Sequence, residues 1–132
     1  MGLIYTNIVL RNPREAGLSP VEVQALVDTG SMHLCIPQHI AIQLNLETAY
    51  EREVTLADGS SKLCPYVGPI EVRFDGRGCF VGALVLEEQV LLGAVPMEDM
   101  DLVVNPATRT VVVNPKSPNI PSSIAMQAEA TL

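Results

Sequence analysis

The chain has 132 residues, 48% of them hydrophobic and 17% charged, with a formal net charge of −7 and a sequence pI of about 4.6. That length encloses one hydrophobic core, and the acidic balance excludes the basic surface that nucleic-acid phosphates or anionic lipid require. No stretch approaches the roughly eighteen consecutive apolar residues of a spanning helix, and residues 1–7 lack the basic start and apolar run of a secretory signal, so a soluble cytoplasmic protein is expected.

Ten prolines and nine glycines interrupt short runs rich in Val, Ile and Leu, a pattern of many short strands joined by turns. Residues 3–10 alternate imperfectly between apolar and polar and predict a strand, residues 11–20 a polar turn region, and Val21–Val27 a second strand, so the chain opens with a hairpin. That hairpin runs directly into Asp28-Thr29-Gly30, where glycine permits a close backbone approach. Residues 37–44, with Pro37 at the first helical position and apolar residues three and four apart, predict a short helix ending near Asn45. Two strand-like runs, 53–56 and 61–64, flank Ala57-Asp58-Gly59-Ser60, and Asp-Gly in that setting predicts a hairpin with a mobile, polar tip.

Further strands are predicted at 69–74 and 79–86, joined by a turn over 75–78. Next come a short apolar run at 90–94, a helical segment at 95–100, and a closing strand pair at 102–104 and Thr110–Val113. The domain is accordingly set at residues 1–113. The remaining 114–132 form a tail that starts without periodicity and is expected either to be disordered or to rest at a dimer interface, since 124–132 carry apolar side chains and no proline.

Cys35, Cys64 and Cys79 are odd in number and widely spaced, which suits neither a disulfide framework nor a CxxC metal site; they are read as reduced and packed. His33 and His39 do not share a helical face, and no metal or cofactor is expected. Glu87 and Glu88 are adjacent at a strand end and point apart, which describes a solvated edge rather than a paired-carboxylate site. Met97 and Met100 are read as core or interface.

An Asp-Thr-Gly tripeptide by itself describes only a turn after a strand. Here the apolar strand Ala25-Leu26-Val27 delivers Asp28 into its loop, and a second apolar pair ending in glycine, Leu91-Leu92-Gly93, follows about sixty residues later. In these features the chain resembles the retropepsin-like aspartic proteases, single-lobed relatives of the pepsin-like enzymes. The family pattern is an apolar strand, Asp-Thr/Ser-Gly-Ala/Ser, a short helical segment, a flap hairpin, further strands, and an apolar-apolar-Gly segment followed by a helix. Residues 3–113 supply those elements in order, and the tail lies outside the resemblance. Two departures stand out: the flap tip is Ala57-Asp58-Gly59 where the viral enzymes are glycine-rich, and Ser31 replaces their usual alanine.

The resemblance implies an all-β fold, a small closed β-barrel of the acid-protease type with one or two short helices, assembled as a homodimer. It implies an aspartic endopeptidase in which Asp28 is the catalytic carboxylate, Thr29 locks two loops across the dimer, and Gly30 lets the backbone approach the carboxylate. Ser31 would donate a hydrogen bond to Asp28, Leu91, Leu92 and Gly93 would pack beneath the loop, and the flap of Ala57, Asp58, Gly59 and Ser60 would close over a peptide or protein substrate. Peptide hydrolysis of this kind uses two adjacent carboxylates sharing one proton, and the chain carries one Asp-Thr-Gly, so a two-fold axis must bring in the second. Donation from Ser31 favours the ionised form, and an acidic activity optimum is expected. The alternatives are a non-catalytic dimeric peptide- or protein-binding module on the same fold, and a small structural domain whose Asp-Thr-Gly is only a turn.

Overall fold

A computed structural model describes residues 2–125. The opening hairpin forms from β1 (Tyr5–Arg11) and β2 (Val21–Val27), antiparallel from Tyr5↔Leu26 to Leu10↔Val21. β1 starts later than the alternation suggests and runs one residue further, because Arg11 is held on its other side against Glu71. There the carboxylate of buried Glu71 accepts hydrogen bonds from the Arg11 and Arg73 guanidiniums. The polar turn between the strands is anchored by buried Asn12. Its amide donates to the carbonyls of Leu44 and Asn45 at 2.8 and 3.2 Å, and its Oδ1 accepts from the Arg14 N–H. One side chain thus satisfies carbonyls at the end of the first helix that have no intrahelical partner.

β3 (Leu34–Ile36) precedes α1 (Gln38–Gln43). Pro37 is not the first helical residue; it is the N-cap, with an extended backbone, and Ile40, Ala41 and Leu44 turn inward. β4 (Thr48–Thr55) and β5 (Ser61–Phe74) form the predicted hairpin. β4 starts well before the predicted run because it is exposed on both faces apart from half-buried Val54, which leaves no hydrophobic alternation to read. β5 is one continuous strand of 14 residues, so the second arm of the hairpin and the strand predicted at 69–74 are a single element. A register shift between Val67 and Ile70 separates its two parts.

The turn predicted over 75–78 is narrower. Asp75 and Gly76 alone make it, at φ of 47° and 80°, which are the two left-handed positions of a two-residue hairpin. Phe74 pairs with Arg77, the first residue of β6 (Arg77–Val85). Arg77 is correspondingly buried, with Nη1 donating to the Met100 carbonyl at 3.0 Å. β7 (Val90–Leu92), α2 (Ala94–Asp99, N-capped by Gly93) and the ribbon of β8 (Leu102–Asn105) and β9 (Thr110–Val113) complete the chain.

The strands order as β1-β2-β7-β3-β6-β5, and β1–β5 pairing closes them into a six-stranded barrel with β4 extending from β5. Its interior is filled by Ile8, Leu10, Leu34, Ile36, Ile70, Val72 and Leu92, all essentially inaccessible. Each contributes about 1.5–3 kcal/mol through removal from water. A smaller cluster of Cys35, Cys64 and Leu84, with Val54, Tyr66, Leu86 and Leu91 against it, lies under the β4–β5 hairpin.

Candidate active site

The candidate loop gets its position from a pairing between distant parts of the sequence. β2 runs parallel to β7, with Val27 beside Leu92, and the Asp28 N–H continues the ladder by donating to the Leu92 carbonyl at 3.0 Å. Beyond it the chain turns tightly: Ser31 N donates to Asp28 O at 3.0 Å. Both oxygens of the Asp28 side chain accept a hydrogen bond, Oδ1 from the Gly30 N–H at 3.1 Å and Oδ2 from the Ser31 hydroxyl at 3.2 Å. The carboxylate is half-buried, whereas Thr29 and Gly30 are exposed at the barrel rim.

The Leu91-Leu92-Gly93 segment underlies this loop. Leu92 is fully buried, Leu91 faces Cys35 across the β3–β7 pairing, and the N–H groups of Ala94 and Val95 donate to the carbonyls of Ser31 and Met32, both at 2.8 Å. Gly93 is required by closeness rather than by backbone angle. A Cβ there would lie 2.3 Å from the His33 carbonyl oxygen and 2.7 Å from that of Ser31.

Across from the loop, the hairpin tip is closed by its own hydrogen bonds, from Leu56 N to Ser60 O at 2.8 Å and from Gly59 N to Leu56 O at 2.9 Å, with Gly59 at φ 87°. The Ser60 hydroxyl and N–H both donate to Asp58 Oδ1, at 2.6 and 2.9 Å, and they hold the Asp58 carboxyl below the usual range. Between hairpin and loop lies a cleft of about 470 Å³, lined by Gly30, Ser31, Leu91, Ala57 and a set of residues the sequence did not single out, among them Met32, Arg52, Val54 and Leu86. Of the four predicted tip residues only Ala57 lines it; Asp58, Gly59 and Ser60 lie further out. Arg52 and Val54 alternate along β4, but that signal is readable only once β4 is known to be a strand.

Cys35 forms part of the cleft floor. Burial first, then the charges of Glu87, Cys64 and Asp28, push its thiol up to about 11, so it packs as an inert apolar group. Glu87 and Glu88 are exposed in the β6–β7 connection and make no pair, Glu87 taking a positive φ of 74°.

No protein-family model matches the chain, and no curated protein matches it by sequence. Solved structures match it by shape. The retroviral protease-like domain of Ddi1 from Leishmania major is 10% identical, with a TM-score of 0.60 over 87% of this chain and 90% of that one. A retropepsin-like aspartic protease from Rickettsia conorii is 16% identical, with a TM-score of 0.53 over 79% of this chain and 77% of that one. EIAV protease in complex with an inhibitor is 16% identical, with a TM-score of 0.51 over 74% and 88%. The fold is the retropepsin-like acid-protease barrel.

Proposed function

We propose that the chain is one half of a homodimeric aspartic endopeptidase, in which a water molecule is activated between two Asp28 carboxylates. The observation that carries this reading is the hydrogen bonding of both Asp28 oxygens within a loop whose Gly30 and Ser31 line the cleft beside the β4–β5 hairpin, on a barrel shared with aspartic proteases.

In this reading the exposed Thr29 and Gly30 pack against their counterparts across a two-fold axis, with Thr29 hydrogen-bonding between the loops. The carboxylates then lie close enough to hold a single proton between them. The ionised member takes a proton from water as the water oxygen attacks the peptide carbonyl carbon, and the protonated member gives its proton to the carbonyl oxygen. Collapse of the tetrahedral species breaks the C–N bond as the carboxyl that took the water's proton passes it to the leaving nitrogen, while the other carboxylate takes a proton back from a hydroxyl of the diol, which restores the single shared proton. Ser31 and the Gly30 N–H hold the carboxylate in orientation, and the hairpin, including Ala57 to Ser60, folds over an extended peptide and excludes water. Residues 1–113 form the protease domain and 114–132 its tail. The three free, buried thiols suit the reducing cytoplasm, where we place its activity.

The test is cleavage of a quenched-fluorescent peptide library beside sedimentation of the same samples. Asp28→Asn is expected to abolish cleavage and to leave a dimer. Cleavage that survives the substitution, or a chain that sediments as a monomer at every concentration, overturns the reading. Peptide binding without turnover by the unaltered protein would favour the dimeric binding module instead.

A further inference from the structure

Arg52 and His33, which line the cleft, form with Tyr66, which lines a neighbouring cavity, a cluster that the hydrolytic chemistry does not use. The Arg52 guanidinium stacks over the Tyr66 ring, 4.2 Å from its centroid. His33 meets the same ring edge-on at 5.9 Å between centroids, and its Nε2 lies 3.5 Å from Arg52 Nη1. His33 borders both the cleft and a second cavity of about 540 Å³ on the far side of Tyr66. The stack therefore forms the partition between the two spaces.

The partition is built rather than incidental. A Cβ on Gly82 would sit 2.2 Å from Tyr66 Cζ, so only glycine there leaves room for the phenol ring to lie where Arg52 covers it. A cation over an aromatic face keeps its N–H edges free for other acceptors, because the ring engages only the flat side of the guanidinium. Among the described residues, ion pairs form between Arg11 and Glu71 and between Arg73 and Glu71, and none includes Arg52. The carboxylates that border the cleft, Glu53 and Glu87, make no bridge to it. Burial, and then the Arg52 charge, lower the His33 pKa, which favours the neutral imidazole and leaves Arg52 as the cation of this wall.

We propose that Arg52, seated on Tyr66 and flanked by His33, determines substrate specificity by taking the carboxylate of an acidic side chain in the bound peptide. The inference rests on the cleft being the peptide groove proposed above. A planar fork of N–H donors held in one orientation matches a carboxylate with two parallel hydrogen bonds. If two copies build the groove, two such forks lie symmetrically about the cleaved bond, and the acidic preference appears at two positions.

The test separates binding from turnover. Fluorescein-labelled octapeptides of neutral, apolar background, with one Glu or one Gln walked through each position, are titrated by fluorescence anisotropy against the full chain carrying Asp28→Asn. At the favoured position Glu is expected to bind about tenfold more tightly than Gln, or about 1.4 kcal/mol. Adding Arg52→Gln brings that ratio to about one, and adding Arg52→Glu inverts it in favour of Lys peptides. Equal affinity for Glu and Gln peptides at every position, or a preference that survives Arg52→Gln, overturns the proposal. Cleavage by the unaltered protein with no acidic preference sinks the Arg52 assignment alone. An Arg52-dependent preference without cleavage supports it and sinks the endopeptidase, and a protein that neither binds nor cuts any of the peptides sinks both.

Discussion

Replacing Gly93 by alanine probes the contact that holds the Asp28 loop on β7. The new methyl group would lie 2.3 Å from the His33 carbonyl oxygen, 2.7 Å from that of Ser31 and 2.8 Å from the carbonyl carbon of Met32. All three are backbone atoms, so no side-chain rotation relieves the overlap. The loop has to move away, and the two 2.8 Å hydrogen bonds from Ala94 and Val95 to Ser31 and Met32 stretch or break. Overpacking of this kind costs about 1–3 kcal/mol, and each lost hydrogen bond adds about 1 kcal/mol, giving a loss of about 3–5 kcal/mol. With a urea slope of about 2 kcal/mol per molar, the unfolding midpoint falls by about 1.5–2.5 M. The assay is urea unfolding followed by circular dichroism at one fixed protein concentration, since self-association would make the midpoint concentration-dependent. Gly17→Ala is the control: a Cβ there meets nothing within 4 Å, and its midpoint is expected to stay put or rise slightly. A Gly93→Ala midpoint no lower than that of the control would refute the close-packing argument.

Glu71 supplies a pH dependence. Burial works to raise its pKa, but hydrogen bonds from Arg73 and Arg11 and their charges outweigh burial and leave the carboxyl below its usual value. A folded-state pKa below the unfolded one gives stability that is present above the unfolded value and lost as pH falls through the folded value. Glu71→Gln should therefore flatten the acid limb of stability against pH in urea melts, and an unchanged limb would count against the assignment. Asp101 holds the segment after β9: it accepts from the Asn114 amide at 3.0 Å, from the Ser117 hydroxyl and from the Ser122 N–H at 2.9 Å, and its pKa falls to about 2, with the Ser117 bond the largest cause. Asp101→Asn should speed tryptic cleavage after Lys116 and amide exchange at Ser122, while equal rates in the two proteins would mean that other contacts hold the segment. Under the proposed endopeptidase reading, Ser31→Ala, which removes the hydroxyl on Asp28 Oδ2, should lower kcat for peptide cleavage by about tenfold with little change in KM, the signature expected of a group acting on the proposed catalytic carboxylate.

Much of this arrangement is written locally in the chain. β2 occupies the segment where alternation places it and β9 the segment expected for the last of the closing strands, the β4–β5 hairpin turns at Asp58-Gly59, and Asp28 sits on a loop directly after an apolar strand. Side-chain periodicity and turn-forming residues act over a few positions, so a single sequence reveals them. The resemblance placed Leu92 and Gly93 under that loop, but the reason only glycine fits appears when the His33 and Ser31 carbonyls converge on it.

Other features have no local signature. Residues 48–53 are exposed on both faces and show no apolar alternation, so nothing in their order marks them as a strand; only pairing with β5 makes them one. Arg77 reads as a turn residue until Met100 is brought against it as a buried acceptor. Nothing in the sequence distinguishes Arg52 from other surface charges; its setting comes from β5, which places Tyr66 beneath it, and from Gly82, which makes room for the ring. The amino-acid order by itself determined β2, β9, the turn at Asp58-Gly59 and the aspartate-bearing loop, because those depend on neighbours in the chain. The barrel decided what surrounds that aspartate, because the parallel pairing of β2 with β7 and the folding of β4 over the cleft join residues that share no stretch of sequence.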